Sequence, residues 1–518
     1  MPSDRQELRD ETSGILSEIK ELRLELIEFS KERDELKTLI ERLNSKTIQL
    51  ESENAQLMKE NEGLKEENQN LISEVKKLRL RLGQDSQNSS KPPSSDPVWK
   101  RSTRKTTRKS TGRKPGGQIG HKGSKLKKFV KVDHHEKHQL SACPHCRSKD
   151  LRLNKVITRQ VADIPEPRIE VTEHEIWKYS CRGCWKDVEG GSELDLTQEV
   201  QYGIRIKSLV TYLNVYQLLP YKRLTELIHA QYGIRISQGS ISNFNKELQD
   251  KIQSFKEAAI GYFQSKTDLL HGDETGCTVN KRLHWVHVYC DELLTLLFGH
   301  VKRGKEAMDS IGILGSTEAT VIHDRFSSYM RYDHLIHGFC NAHILRDLTA
   351  AEEACTLEWP GEIRNLLLRA KEEKDRNPLR ESQKRQYLKE YDSILVKHNR
   401  YYEQEDRKAR LKSTGGKRGK PKRSKDHNLY RVLLKHRNEL LRFITDPQIP
   451  FDNNQAERDL RMLKTKMKIS NQFKTEEWMQ THLDIRAFVS TAVKQDKNIL
   501  DTIQEAYLNP HDSALLAV

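Results

Sequence analysis

From Leu8 to Leu78 every seventh residue is apolar, running Leu8, Ile15, Leu22, Phe29 and then Leu36 to Leu78 without a gap. A second series follows four residues behind, with Ile19, Leu26 and Ile40 in it and Asn54, Asn61 and Asn68 at its centre. Eleven heptads without a proline predict one long helix whose stripe is the a/d seam of a left-handed coiled coil. Three Asn at a positions weaken an apolar seam but hydrogen-bond well with their counterparts across an in-register parallel dimer. Self-association is therefore expected, with Asn54, Asn61 and Asn68 setting the register. The alternative, one amphipathic helix packed on a globular core, rarely keeps phase for so long.

The heptads give way at Asn88-Ser-Ser-Lys-Pro-Pro-Ser-Ser95, and helical patterns return at residues 201–260. There Gln-Tyr-Gly-Ile-Arg-Ile occurs twice, at 201–206 and 231–236. Its second copy leads into Ser237, a plausible N-cap, and Ile241, Phe244 and Leu248 then share one face. A preceding helix from about Tyr221 to Ala230, turning at Gly233, completes a helix-turn-helix with Ser242, Asn243 and Lys246 turned outward to read DNA. Two packed helices that touch no DNA are the competing reading.

Beyond residue 265 the pattern shifts to strands. Thr267–Asp273 and Ala319–Asp324 are apolar stretches that each end in a carboxylate, and Leu283–Tyr289 and Leu293–Phe298 form a strand pair turning near Asp291. Two Asp at the ends of neighbouring strands can hold a divalent metal. Glu274, adjacent to Asp273 on an extended chain, points the other way and is not counted as a ligand. The third acid chosen is Glu457. On a helix, Ala456, Leu460, Leu463 and Met467 form its buried stripe, and Asn453, Glu457, Arg461, Lys464 and Lys468 lie about a quarter-turn round. One acid among amides and cations suits a metal-and-phosphate site, with Asn453, Asn454, Arg458, Arg461 and Lys464 toward the DNA backbone. An ordinary charged helix face is the bland reading of the same residues.

Charge sharpens the picture. The 518 residues are 35% hydrophobic and 32% charged, with a net charge of +15. Residues 97–131 hold 13 Lys/Arg and no acid, and residues 407–425 hold 10 and none; elsewhere 75 acids outnumber 67 bases. Two concentrated cationic segments on a mildly acidic chain select a polyanion, and nucleic acid is the first candidate. Arg113, Lys114 and Lys122 in the first run are expected to bind phosphate, the alternative being a solvated tail; 407–425 reads as a DNA-contacting loop or an exposed linker. A basic-zipper factor is excluded by order, because its cations precede the zipper. Alternating charges over the first 30 residues and the lack of any run of about 18 apolar residues argue against a signal peptide and a membrane span, so a cytoplasmic location is expected.

Cys143-Pro-His-Cys146 and Cys181-Arg-Gly-Cys184 are two C-x2-C pairs with 34 residues between them. Four thiolates suit tetrahedral Zn²⁺ in a closed, structural site, with strands such as 169–172 and 176–179 filling the gap. A redox dithiol or unrelated buried thiols are the alternatives. Cys340 and His343 form a C-x2-H without a partner pair at ligand spacing, so packing or support of the active site is favoured over a metal half-site.

In order along the chain, the zipper, Ser90–Asp96, Gly112–Gly123, the double C-x2-C, His271-Gly-Asp-Glu-Thr275, Asp324-Arg-Phe-Ser-Ser-Tyr329, Cys340-Asn-Ala-His343 and Asn453-Asn-Gln-Ala-Glu-Arg458 resemble the insertion-sequence-66 family of bacterial transposases over essentially the whole length. The resemblance implies a ribonuclease-H-like α/β catalytic domain, an Asp-Asp-Glu triad falling on Asp273, Asp324 and Glu457, and a helical insertion between the second and third acids. The Glu/Lys/Arg-rich composition of 361–445 agrees with that insertion.

The expected whole is a multidomain α+β protein. It comprises a parallel coiled coil (1–84), a disordered basic linker (85–132), a zinc-ribbon-like module (133–197) and a helix-turn-helix region (198–264). A ribonuclease-H-like domain follows (265–345 and 446–475), with a helical insertion (346–445) and a C-terminal helical segment (476–518). The implied activity is cleavage and strand transfer of double-stranded DNA, at element ends and target, with Mg²⁺ or Mn²⁺ at the three acids and structural Zn²⁺ elsewhere. The zipper would pair two subunits, in a nucleoid-associated complex to which other proteins of the element could belong. A catalytically silent DNA-binding regulator, a coiled-coil scaffold and a nuclease without strand transfer are the rival readings.

Overall fold

The structure, a computed structural model, describes residues 4–83, 120, 122, 125–191, 196, 198–355, 357–412 and 423–509. Arg113, Lys114 and residues 413–422 of the second cationic run lie outside the described residues; Lys122 is exposed. The chain divides into two compact units, residues 1–86 and 87–518. The first is a single helix, α1 (Asp4–Gly83), whose 80 residues span about 120 Å at 1.5 Å per residue. From Ile15 to Leu71 its heptad residues stand in solvent, Leu22 at 58% and Leu50 at 52% exposure, and Asn54, Asn61 and Asn68 are exposed beside them.

In the second unit, residues 125–191 are mostly irregular. One antiparallel hairpin, β1 (Lys178–Ser180) with β2 (Asp187–Glu189), brackets the second cysteine pair. The expected strand at 169–172 does not form, and the one at 176–179 shrinks to β1. Among the described residues, no core cluster includes a side chain from this stretch.

Four helices follow: α2 (Ile204–Thr211), α3 (Tyr221–Tyr232), α4 (Gln238–Lys251) and α5 (Gln253–Ser265). The two helices and the turn expected from sequence are present. Gly233 closes α3 in the left-handed region (φ 73°), and Ser237 caps α4 by accepting the Ser240 backbone N–H at 2.9 Å. Ile241, Phe244 and Leu248 are buried, as their spacing predicts. The repeated hexapeptide takes two structures. In its first copy Gly203 opens α2 with an extended backbone, whereas in its second Gly233 ends α3.

A five-stranded mixed sheet forms the centre, built from β3 (Leu269–Val279), β4 (Arg282–Cys290), β5 (Thr295–His300), β6 (Thr320–His323) and β7 (Ile336–Phe339) in the order β5-β4-β3-β6-β7. The pairs β5–β4 and β4–β3 are antiparallel, and β3–β6 and β6–β7 are parallel. Asp291 makes the β4–β5 turn by accepting the backbone N–H groups of Leu293 and Leu294. The short helix α6 (Lys305–Ile311) leads from β5 toward β6.

Residues alternate between the two faces of this sheet. Leu270, Tyr289, Leu296 and Val321 face the core shared with α5. Cys277, Val286, Val288 and Leu297 face the helix that carries Glu457. Among the described residues of 341–445, which include the expected helical insertion (346–445), the regular elements are helices: α7 (Asn341–Ala354), α8 (Trp359–Arg376), α9 (Glu381–Lys412), α10 (Lys425–Lys435) and α11 (Arg437–Thr445). Its core is continuous with Ile322 and Phe339 of the sheet, and Arg442 of α11 donates to the His337 carbonyl of β7 at 2.8 Å.

Then come α12 (Asn454–Ser470), α13 (Glu476–Lys494) and α14 (Ile499–Leu508). Two expected boundaries dissolve here. Residues 476–509 are no separate tail, because Phe488, Val489 and Ile503 lie in one core with Leu270, Val321 and the sheet. The helix-turn-helix region is also no separate domain, because Leu248 and Phe255 belong to that core. Lys256 further meets Asp484 at 2.8 Å. Apolar area is buried best in one piece, and local periodicity does not tell which helices share it.

Candidate active site

Asp273 lies in the middle of β3, which runs six residues past it, instead of ending the strand as expected. The parallel register of β3 with β6 pairs His271 with Ile322, so two residues further on Asp273 stands level with Asp324, just past the end of β6. The odd-numbered position turns Asp273 to the face covered by α12. Ala456, Leu460 and Leu463 seat that helix on β3 and β4, and Glu457 is in its first turn. Glu274 points to the other face, as alternation requires. There its fully buried carboxylate takes Arg303 (Nε to Oε1, 2.8 Å) and the Tyr329 hydroxyl (3.2 Å).

The electrostatics record the convergence. Burial pushes the Asp273 carboxyl up to about 7, with the charges of Asp324 and Glu457 adding to the effect; the Glu274 N–H and Lys464 oppose it. Burial, and then Asp324, push Glu274 up to about 8 against the pull of Arg303. A carboxyl this reluctant to ionise beside two others is a place where a divalent cation is favoured. The oxygens do not yet close round one point. Among the described residues, the group of three metal-type ligands whose atoms all lie within 4.8 Å of one another is Cys340, His343 and Glu457.

Several supporting residues escaped the sequence reading. Arg303 reaches from Glu274 toward Asp324 (3.9 Å) with its guanidinium over the rings of Phe326 (4.0 Å) and Trp285 (4.9 Å). No periodicity marks it. Phe326 and Tyr329 belong to the Asp324–Tyr329 motif, which was the available signal. Arg325, in the left-handed region at φ 71°, bends the chain behind Asp324, and Asp324 Oδ1 accepts the Phe326 N–H at 2.9 Å. An open cleft of about 320 Å³ lies against Arg303, Asp324, Arg325 and Phe326.

The residues expected to touch DNA divide. Asn454, Arg458, Arg461 and Lys464 are exposed along α12, on the helix that bears Glu457. Asn453 is not among them. It is 2% exposed, its Oδ1 lies 2.7 Å from His271 Nδ1, and its Nδ2 donates to the Gly272 carbonyl at 2.8 Å. Asn243 is exposed and Ser242 half-buried, while Lys246 is engaged with Glu477 at 3.3 Å.

The two cysteine pairs adopt one local geometry. Arg147 N–H donates to the Cys143 carbonyl and Trp185 N–H to the Cys181 carbonyl, and both residues, each directly after a second cysteine, are left-handed. Backbone N–H groups of Cys146 and His145 lower the Cys143 thiol pKa, and those of Cys184 and Gly183 do the same for Cys181. Such turns suit thiolate ligands of zinc. Each pair is formed; the two pairs are not gathered into one four-sulfur group.

Comparison with known protein families agrees. Residues 199–481 match the IS66 family of transposases, residues 141–184 match the zinc-finger binding domain of transposase IS66, and residues 27–127 match a family of unknown function. No curated protein matches the chain. The first match covers more than half of the sequence, the sheet and all three acids: the chain belongs to the IS66 transposase family. The zinc-finger match spans both cysteine pairs and supports a structural zinc. Among the described residues no helix is long and apolar enough to cross a membrane.

Proposed function

We propose that this transposase cuts and joins DNA by metal-assisted phosphoryl transfer at Asp273, Asp324 and Glu457. The observation that carries the reading is the parallel β3–β6 register, which brings Asp273 level with Asp324 on the face where α12 presents Glu457. The mixed sheet, with α12 packed on β3 and β4 and α13 on β5, agrees with a ribonuclease-H-like domain. The hard oxygen donors fit Mg²⁺ or Mn²⁺, which when bound supplies an acidified water and neutralises charge at the scissile phosphate.

The protein's own groups do the rest. Arg303 holds Glu274 and steadies Asp324, and the buried Asn453 fixes the start of α12 to β3, so that Glu457 rides on a rigid element. Arg458, Arg461 and Lys464 run along the outer side of α12, where a phosphate backbone entering the site would be held. Their contribution would be sequence-blind and would weaken with salt. Asn243 and Ser242 on α4 are the candidates for reading element ends, and the Lys/Arg runs containing Arg113, Lys114 and Lys122 add affinity. Pairing of two subunits through the heptads of α1, with Asn54, Asn61 and Asn68 in register, would bring two ends together.

The reading is tested with the purified chain, Mg²⁺ and labelled element ends. Asp324→Ala should keep end binding and lose cleavage and joining. Equal cleavage by the variant and the parent would sink the proposal, and metal-independent binding without nicking by the parent would leave a DNA-binding regulator.

A further inference from the structure

Cys340, His343 and Glu457 come from opposite ends of the insertion yet meet at the starts of two helices. Cys340 caps α7, and His343, three residues on, lies on the same side of its first turn. Glu457 occupies the first turn of α12, and the Asn453 N–H donates to Cys340 Sγ at 3.2 Å, stitching the two helix starts together. Cys340 is fully buried. Within this trio His343 Nδ1 and Glu457 Oε1 are buried and have no hydrogen-bond partner. A buried polar atom left unmet is costly, so two of them beside a thiol are an anomaly that a bound cation would remove.

Sulfur, imidazole and a single carboxylate are the donors of a zinc-class ion and a poor set for magnesium. Bonds of about 2.0–2.3 Å in a tetrahedron put donors roughly 3.3–3.8 Å apart, so atoms already within 4.8 Å need only small side-chain rotations. Three protein ligands leave one position open to water.

We propose that Cys340, His343 and Glu457 form a second transition-metal site, distinct from the Cys143–Cys184 module, which takes a zinc-class ion and thereby withdraws Glu457 from Asp273 and Asp324. On binding, the Cys340 thiol proton passes to solvent as the sulfur–metal bond forms, and nothing is oxidised or reduced. Ion binding is independent of the catalytic reading; the inhibition that follows from losing Glu457 rests on it.

The probe is Co²⁺, dialysed at micromolar concentration against the full chain with its zinc module filled, and read by bound-metal content and visible absorption. Cys340→Ser and His343→Gln keep the cysteine module, so its contribution cancels in the difference from wild type. Wild type should bind one ion more than Cys340→Ser and show an added thiolate–cobalt spectrum, and His343→Gln should bind that ion at least about tenfold more weakly. Equal metal content and superimposable spectra in wild type and Cys340→Ser would overturn the site. Should the buried Cys340→Ser fail to fold, His343→Gln carries the same comparison: unchanged affinity there overturns the proposal. In a second arm, micromolar Zn²⁺ added to the Mg²⁺ reaction should inhibit wild type more than His343→Gln, each relative to its own zinc-free rate. Equal inhibition removes the competition. If no form cuts DNA in any metal, the catalytic reading fails while the metal count still decides the site.

Discussion

His271 Nδ1 and Asn453 Oδ1 lie 2.7 Å apart, inside the protein, although the two residues stand 182 positions apart in the chain. Burial lowers the His271 pKa, so the ring is neutral near pH 7, and because Asn453 Nδ2 is already donating to the Gly272 carbonyl, the imidazole is the donor here. Strand β3, which carries Asp273, is thus tied directly to the start of the helix that carries Glu457. Asn453→Ala leaves the His271 N–H and the Gly272 carbonyl unmet. Thermal unfolding should report a loss of about 2–4 kcal/mol, against almost none for the exposed Asn454→Ala, which should weaken only DNA binding.

Asp273 predicts an unusual dependence on pH. Its acid form persists in the fold from the ordinary value of 3.8 up to about 7, a window in which the unfolded chain is already ionised. The folded state holds the extra proton there, so the stability of the metal-free protein falls as pH rises from about 4 to about 7. Asp273→Asn removes this penalty. Denaturant titration at about pH 8 should find the variant more stable than the parent by about 2 kcal/mol, and Mg²⁺ should stabilise only the parent.

Arg303 is the only cation hydrogen-bonded to the buried Glu274 among the described residues. Arg303→Ala removes the cation that holds this carboxyl down; it should cost about 3–5 kcal/mol in chemical denaturation above about pH 8, where the group is ionised, and clearly less at about pH 6, where the acid form prevails. Adding Glu274→Gln should restore much of the loss. If the double variant is no better than the single one, the pair is not what holds this face.

The order of the zinc module should depend on its metal and not on the protein core. Because no residue of 125–191 belongs to a core cluster among the described residues, removing zinc should expose 141–184 to limited proteolysis and leave the main thermal transition of the sheet-containing unit in place.

Replacing Asn54, Asn61 and Asn68 by Ile should raise the melting temperature of the isolated 4–83 segment and blur its dimeric state toward larger assemblies in analytical ultracentrifugation. A segment that stays monomeric with either sequence would remove the zipper.

Periodicity alone determined the long helix, the helix-turn-helix spans down to Ser237 and Gly233, the β4–β5 turn at Asp291 and the buried stripe of α12, because each rests on contacts between residues close in sequence. The choice of three acids rests on the family resemblance: strand alternation separates Asp273 from Glu274, but helix periodicity by itself leaves Glu457 on an ordinary charged face. What only the tertiary structure decided depends on burial between distant segments. It took Asn453 off the surface expected to face DNA, made one core of helices that had looked like three domains, gave the same hexapeptide a helix start at Gly203 and a helix end at Gly233, and brought Glu457 beside Cys340 and His343. The last is the clearest case. A C-x2-H with no partner nearby in the sequence acquires a third ligand 114 residues past His343, because one hydrogen bond to the Cys340 sulfur joins the starts of two helices.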